Sequence, residues 1–205
     1  MRRYGYYSKI AYVDLFRKQI EFLTPDETFY RTYLGGPGIA LYYLLKRLPD
    51  NCHPLDADNV LIFAPGLLTG TLTPCAPRYT VCAKAPLTGA LGRSEAGGFF
   101  GPELKKAGYD ALVITGRATS PVYLWISDEG IEIREATATW GHDTGDTEDF
   151  IREDIGDKRI RIAAIGQGGE NQVLFAGITS DLSHFNGRNG LGAVMGSKNL
   201  KAIAV

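Results

Sequence analysis

The sequence predicts an α+β fold, internally duplicated, with two mainly antiparallel β-sheets and flanking helices. Three observations carry that expectation. A hairpin pattern opens each half, and hairpins pair antiparallel. The order of elements after the hairpin then repeats. Finally, the 25 glycines are about 12% of the chain, against a usual value of about 7%, and most of them cluster. Seven fall between Pro86 and Gly116 and eight between Gly166 and Gly196.

Taken in order, Lys9–Leu15 and Lys18–Leu23 alternate polar and apolar residues across Phe16-Arg17, which predicts a hairpin. Thr24-Pro25-Asp26-Glu27 reads as a helix start, with Thr24 as N-cap, Pro25 next and Glu27 closing a capping box. A second helix over Ile39–Leu48 places Leu41, Leu44, Leu45 and Leu48 on one face. Asn59–Ala64 and Arg78–Lys84 read as strands. A glycine-rich loop follows, then a helix near Phe99–Ala107 and the strand Ala111–Thr115. The second half repeats this order. Val122–Ser127 and Ile131–Arg134 form a hairpin, and Asp146–Ile155 a helix ended by Gly156. Arg159–Ile165 and Gln172–Thr179 read as strands. A loop, a helix through Val194–Asn199 and the strand Lys201–Val205 complete it. Gly97 to Lys105 overlays Gly187 to Met195 at an offset of 90 positions. The halves, about 1–117 and 120–205, therefore read as one duplicated domain.

Composition excludes several classes. The chain is 44% hydrophobic and carries 22 Lys+Arg against 23 Asp+Glu. That is enough apolar surface to bury a core, and it leaves no net basic field for nucleic acid. The basic start Met1-Arg2-Arg3 has no apolar stretch behind it, and no run reaches the roughly 18 residues of a membrane span. Cys52, Cys75 and Cys82 show no metal-knuckle or disulfide pattern, and His53, His142 and His184 are scattered. A cytoplasmic protein with reduced thiols, no membrane contact and no nucleic-acid partner is the expectation.

Glycine ahead of a helix lets several N–H groups converge, and the helix dipole adds positive potential, so each glycine-rich segment is a candidate phosphate site. The plain alternative is tight turns and close packing, which is favoured for any single glycine. Arg78, after Thr73-Pro74-Cys75-Ala76-Pro77, is a candidate phosphate grip, or else a surface Arg. Glu95 falls in the first glycine loop. Its carboxylate would repel a phosphate, but its main-chain carbonyl could hold a cation. Trp140-Gly141-His142-Asp143 reads as packing or capping, and no catalytic set can be singled out.

Whole motifs add what spacing does not. Tyr33-Leu34-Gly35-Gly36-Pro37-Gly38, Phe63-Ala64-Pro65-Gly66-Leu67-Leu68-Thr69-Gly70 and Ala83-Lys84-Ala85-Pro86-Leu87-Thr88-Gly89 are three of them. Ala96-Gly97-Gly98-Phe99-Phe100-Gly101-Pro102-Glu103, Gly166-Gln167-Gly168-Gly169-Glu170-Asn171 and Gly190-Leu191-Gly192-Ala193-Val194-Met195-Gly196-Ser197-Lys198-Asn199 are three more. In this order they resemble the N-terminal domain of the aldehyde:ferredoxin oxidoreductase family, the tungstopterin enzymes.

The resemblance implies a saddle-like domain that binds a bis-pterin tungsten or molybdenum cofactor for oxidation of aldehydes to carboxylic acids. It implies Mg²⁺ between the two pterin phosphates, held by the main-chain carbonyls of Glu95 and Phe185. It places Arg78, Gly97 and Gly187 at cofactor contacts, with Arg93, Gly98, His184 and Arg188 beside them. Better-known members carry Asp-x-Asn where this chain has Arg93-Ser94-Glu95, and Arg-Ala-Ala-Gly where it has His184-Phe185-Asn186-Gly187. His184 or Arg93 is expected to supply the polar contact so lost. The family's [4Fe–4S] cysteines and substrate pocket lie beyond Val205, so the chain reads as an excised domain or truncated reading frame, inactive alone. In the full-length enzyme the implied partners are ferredoxin or another iron–sulfur carrier and a small aldehyde, with a homodimer as the assembly. The alternative is a non-catalytic phosphate- or nucleotide-binding module.

Overall fold

The computed structural model describes residues 5–205. Residues 1–4, the basic start weighed above as a leader, lie outside the described residues. Strands β1 (Ile10–Asp14) and β2 (Gln19–Leu23) form the first hairpin. Helices α1 (Glu27–Tyr33) and α2 (Pro37–Arg47) follow, then β3 (Leu61–Pro65), β4 (Tyr79–Lys84) and β5 (Leu91–Ala96). Helix α3 (Phe100–Lys106) and β6 (Ala111–Thr115) close the half. The second half runs β7 (Val122–Ser127), β8 (Gly130–Glu135), α4 (Thr144–Ile155), β9 (Ile162–Ala164) and α5 (Gln167–Glu170). It ends with β10 (Ile178–Ser180), β11 (His184–Asn186), α6 (Leu191–Ser197) and β12 (Leu200–Ala204).

The first sheet has the order β2-β1-β6-β3-β4-β5, and the second, read from its hairpin edge, β8-β7-β12-β9-β10-β11. The pairings also match. β1 is parallel to β6 and β7 to β12, and every other neighbour is antiparallel. The α+β class and the duplication thus hold.

One continuous core joins the inner faces of both sheets, with Phe63, Val81 and Leu112 from one and Leu124, Ala163 and Ile203 from the other. Phe100 and Leu104 of α3 and Leu191, Val194 and Met195 of α6 fill it. The alternate residues face outward, where α1 and α2 cover the first sheet and α4 the second.

Four expectations need correction. The α1 cap is Asp26, not Thr24: its carboxylate accepts from the Phe29 N–H at 2.9 Å, and its negative charge suits the helix N-terminus. The buried face of α2 is Ile39, Ala40, Tyr43 and Leu44, whereas Leu41 and Leu45 are 37% and 73% exposed. The Tyr43 ring buries more area against the sheet than either leucine could. Most of Gln172–Thr179 is turn, and only Ile178–Ser180 forms a strand, because the preceding residues close α5. Lastly, both glycine-rich "loops" contain a strand, β5 and β11.

Asp143 caps α4, accepting from the N–H groups of Gly145 and Asp146 at 2.8 and 3.0 Å, and Gly156 ends it with a φ of 77°. Each half also holds one buried ion pair. Lys105 of α3 meets Asp110, just before β6, at 2.5 Å, and Lys201 of β12 meets Glu170 of α5. Asp110 also accepts from the Tyr7 and Lys9 N–H groups and the Tyr30 hydroxyl. Among the described residues no helix is long and apolar enough to cross a membrane.

Candidate functional site

The edge strands β5 and β11 approach each other where the two sheets meet. Three side chains stitch the seam. Asn186 Nδ2 donates to the Ser94 carbonyl at 3.1 Å, the Arg188 N–H donates to Ser94 Oγ at 3.3 Å, and Asn189 Nδ2 donates to the Arg93 carbonyl at 2.6 Å. Deeper in, the hydroxyls of Tyr79 and Ser180 hydrogen-bond between the halves. Burial raises the Tyr79 phenol pKa, so that hydroxyl stays protonated.

Over this seam lies an open concavity of about 530 Å³, lined by Arg78, Arg93, Ser94, Glu95, Phe185, Gly187 and Arg188. Six of the nine residues expected at the site line it together. The other three, Gly97, Gly98 and His184, are not part of its lining. The His184 ring lies flat against Gly98, where a Cβ would come within 2.7 Å of Nδ1. Gly98 also has a φ of +80°, a backbone conformation that favours glycine whatever the space around it. His184 Nδ1 is 3.0 Å from Ser183 Oγ.

The site is cationic. Its lining carries three arginines, Arg78, Arg93 and Arg188, and one carboxylate, that of Glu95. Arg93 donates to Glu95 Oε1 through Nε at 3.1 Å and also through Nη2. Neither Arg78 nor Arg188 has a salt-bridge partner among the described residues. Glu95 lies opposite Thr80 on β5 and Phe185 opposite Thr179 on β11, so the two occupy equivalent positions on the two edge strands. Phe185 is 58% exposed.

The N-terminus of α6 is closed to an anion at Gly192. All of α6 is buried, and its Gly192 N–H is taken by the Ala176 carbonyl at 2.9 Å. A Cβ at Gly192 would overlap the Gly177 carbonyl oxygen, and one at Gly196 the Gly169 carbonyl oxygen. These glycines serve close packing. The positive potential comes from guanidinium groups on and beside strand edges. Glu95, placed above in a loop, is on a strand. Sequence reasoning passed over Ser94, Asn186 and Asn189. On β5 exposed and buried residues alternate, which puts Arg93 and Glu95 on one face and buries Ser94 on the other, but Gly92 hides that alternation in the sequence. Among the described residues, no group of three or more His, Cys, Asp or Glu could hold a metal.

The family model described as "Aldehyde ferredoxin oxidoreductase, N-terminal domain" matches residues 10–205. The chain belongs to the aldehyde ferredoxin oxidoreductase family. It is 48% identical over 202 residues to a tungsten-containing aldehyde ferredoxin oxidoreductase of Pyrococcus furiosus, covering 98% of this chain and 33% of that protein. It is 37% identical over 219 residues to the WOR-like subunit of an aliphatic sulfonate oxidoreductase of the same organism, covering 98% and 34%. Among solved structures, the active-site complex BamBC of benzoyl coenzyme A reductase matches with a TM-score of 0.96 and 38% identity. That match covers all of this chain and 31% of the other. The chain therefore spans about a third of the length of the relatives it matches. These family members are oxidoreductases of differing name, so membership alone does not choose the substrate.

Proposed function

We propose that this domain binds a bis-pterin tungsten or molybdenum cofactor over the β5–β11 seam, as part of an aldehyde:ferredoxin-type oxidoreductase. The observation that carries the reading is the concavity with three arginines, two of them without acidic partners, astride a pseudo-twofold seam. A ligand with two phosphate ends suits two matching edge strands better than a ligand with one.

The donor set fits such a group. Arg78 and Arg188 can each grip a phosphate through two N–H groups. The main-chain carbonyls of Glu95 and Phe185 would hold the Mg²⁺ that accompanies such a cofactor. Asn186 Oδ1, buried without a donor, is an acceptor in the same seam. When bound, the metal–dithiolene centre would supply two-electron chemistry that no side chain here can supply. The domain's own part is to orient that group, to neutralise its phosphates and to seat one face of it. An aldehyde substrate, a [4Fe–4S] relay, ferredoxin as acceptor, a homodimer and a cytoplasmic setting belong to the same proposal for a protein of the relatives' length.

The test is expression in a tungstopterin-making host, with tungsten, molybdenum and pterin measured on the purified chain. Wild type is expected to carry metal and pterin, and Arg78→Ala and Arg188→Ala to carry several-fold less. Equal content in all three proteins would remove these arginines from the site. Binding of nucleotide in place of pterin would favour a non-catalytic phosphate-binding module.

A further inference from the structure

Glu95 is out of place in a site for phosphates, and its geometry shows what it does there. Arg93 and Glu95 stand two residues apart on β5 and so project from the same face. The Nε and Nη2 groups of Arg93, the edge a guanidinium uses for two-pronged recognition of phosphate, both point at one oxygen of Glu95. The site therefore holds its own carboxylate where a ligand's oxygen would sit. The pair is partly solvated, with side-chain exposures of 52% for Arg93 and 28% for Glu95. Such pairs are weak, so a ligand can displace the carboxylate.

We infer that Glu95 is a built-in competitor for Arg93, a specificity-determining residue that keeps the third arginine masked until a ligand with strong enough anionic groups displaces it. The inference rests on the cradle reading above. A ligand held only by Arg78 and Arg188 leaves the pair closed. One that engages all three arginines must open it. Glu95 thereby selects against small stray anions and in favour of a large ligand with paired phosphates.

The experiment is titration calorimetry of the chain with magnesium-free inorganic pyrophosphate. Wild type, Glu95→Gln, Arg93→Gln and the double variant are compared after circular dichroism has matched their folds. Glu95→Gln is expected to bind roughly fivefold tighter at low ionic strength, with the gain fading in high salt. In the Arg93→Gln background the same substitution should gain clearly less, because there is no masked guanidinium to release. If wild type binds and Glu95→Gln binds equally or more weakly, the competitor role is overturned and the cradle stands. A gain undiminished without Arg93 also overturns masking, since it would then be bulk charge repulsion. If neither wild type nor Glu95→Gln binds pyrophosphate, the cradle reading fails and the inference falls with it.

Discussion

The two halves reach one strand order by unequal means. In the first, β3 to β5 are five or six residues long, and α3 buries only Phe100, Gly101, Leu104 and Lys105. In the second, β9 to β11 are three residues each, and every residue of α6 is buried. Short strands supply fewer ladder hydrogen bonds, so the second half leans on backbone contact between α6 and both α5 and the segment that follows it. Glycine makes that contact close enough. The site repeats the inequality. Arg78, Arg93 and Glu95 come from the long-stranded half, and Phe185, Gly187 and Arg188 from the short-stranded one. A duplicated frame thus carries unlike chemistry on its two edges.

The strongest way to break the comparison is through the two buried ion pairs. Asp110 accepts from Tyr7, Lys9, Tyr30 and Lys105, whereas Glu170 accepts from Gly141 and Lys201. Removing one member of a buried pair costs about 3–5 kcal/mol. Asp110→Ala should therefore lie at the upper end and Glu170→Ala at the lower, read from urea unfolding midpoints. Equal losses would mean that the extra partners of Asp110 add nothing.

Next in size is the glycine contact. Gly196→Ala drives a methyl into the Gly169 carbonyl, whereas at Gly101 the nearest atom to such a methyl is the Pro77 oxygen, 2.9 Å away. Overpacking costs about 1–3 kcal/mol. Gly196→Ala should approach the upper figure and Gly101→Ala the lower, as a difference in thermal midpoint. The reverse order would show that the second half does not depend on close α6 packing.

Smallest when taken per pH unit is a titration at the joint between the halves. Lys198 is fully buried and donates to the carbonyls of Ala57 and Gly116 at 2.8 and 3.3 Å. Burial lowers its pKa to about 7, with Arg117 also lowering it and Cys52, Asp58 and Asp14 opposing. Between that value and the usual lysine range, the unfolded chain holds a proton that the folded chain lacks. Stability therefore rises with pH across this window, by at most about 1.4 kcal/mol per pH unit. Lys198→Met removes the titration, so wild type should gain on the variant between pH 7 and pH 9 in urea melts. A constant or shrinking difference would put the charge elsewhere.

Most of the architecture was legible in the sequence. The hairpins, the helix ended by Gly156 and the strand Ala111–Thr115 follow from alternation, a left-handed cap and an unbroken apolar run. β5 and β11 were not legible. Gly92 and two charges interrupt the apolar signal in Leu91–Ala96, and His184–Asn186 is too short to show a period. Leu41 and Leu45 misled for a related reason: helical spacing finds an apolar stripe but does not choose which stripe meets a sheet.

By itself the sequence determined the class, the duplication and, through whole motifs, the family. These depend on residue order, and order survives in a string. Only the tertiary structure decided what the glycines do and where the charge gathers. The glycines of α6 pack against backbone far away in sequence, and Arg78, Arg93 and Arg188 meet only because two edge strands from different halves lie side by side. Such contacts come from sheet closure around a shared core, which acts across about a hundred residues and leaves no local period to read.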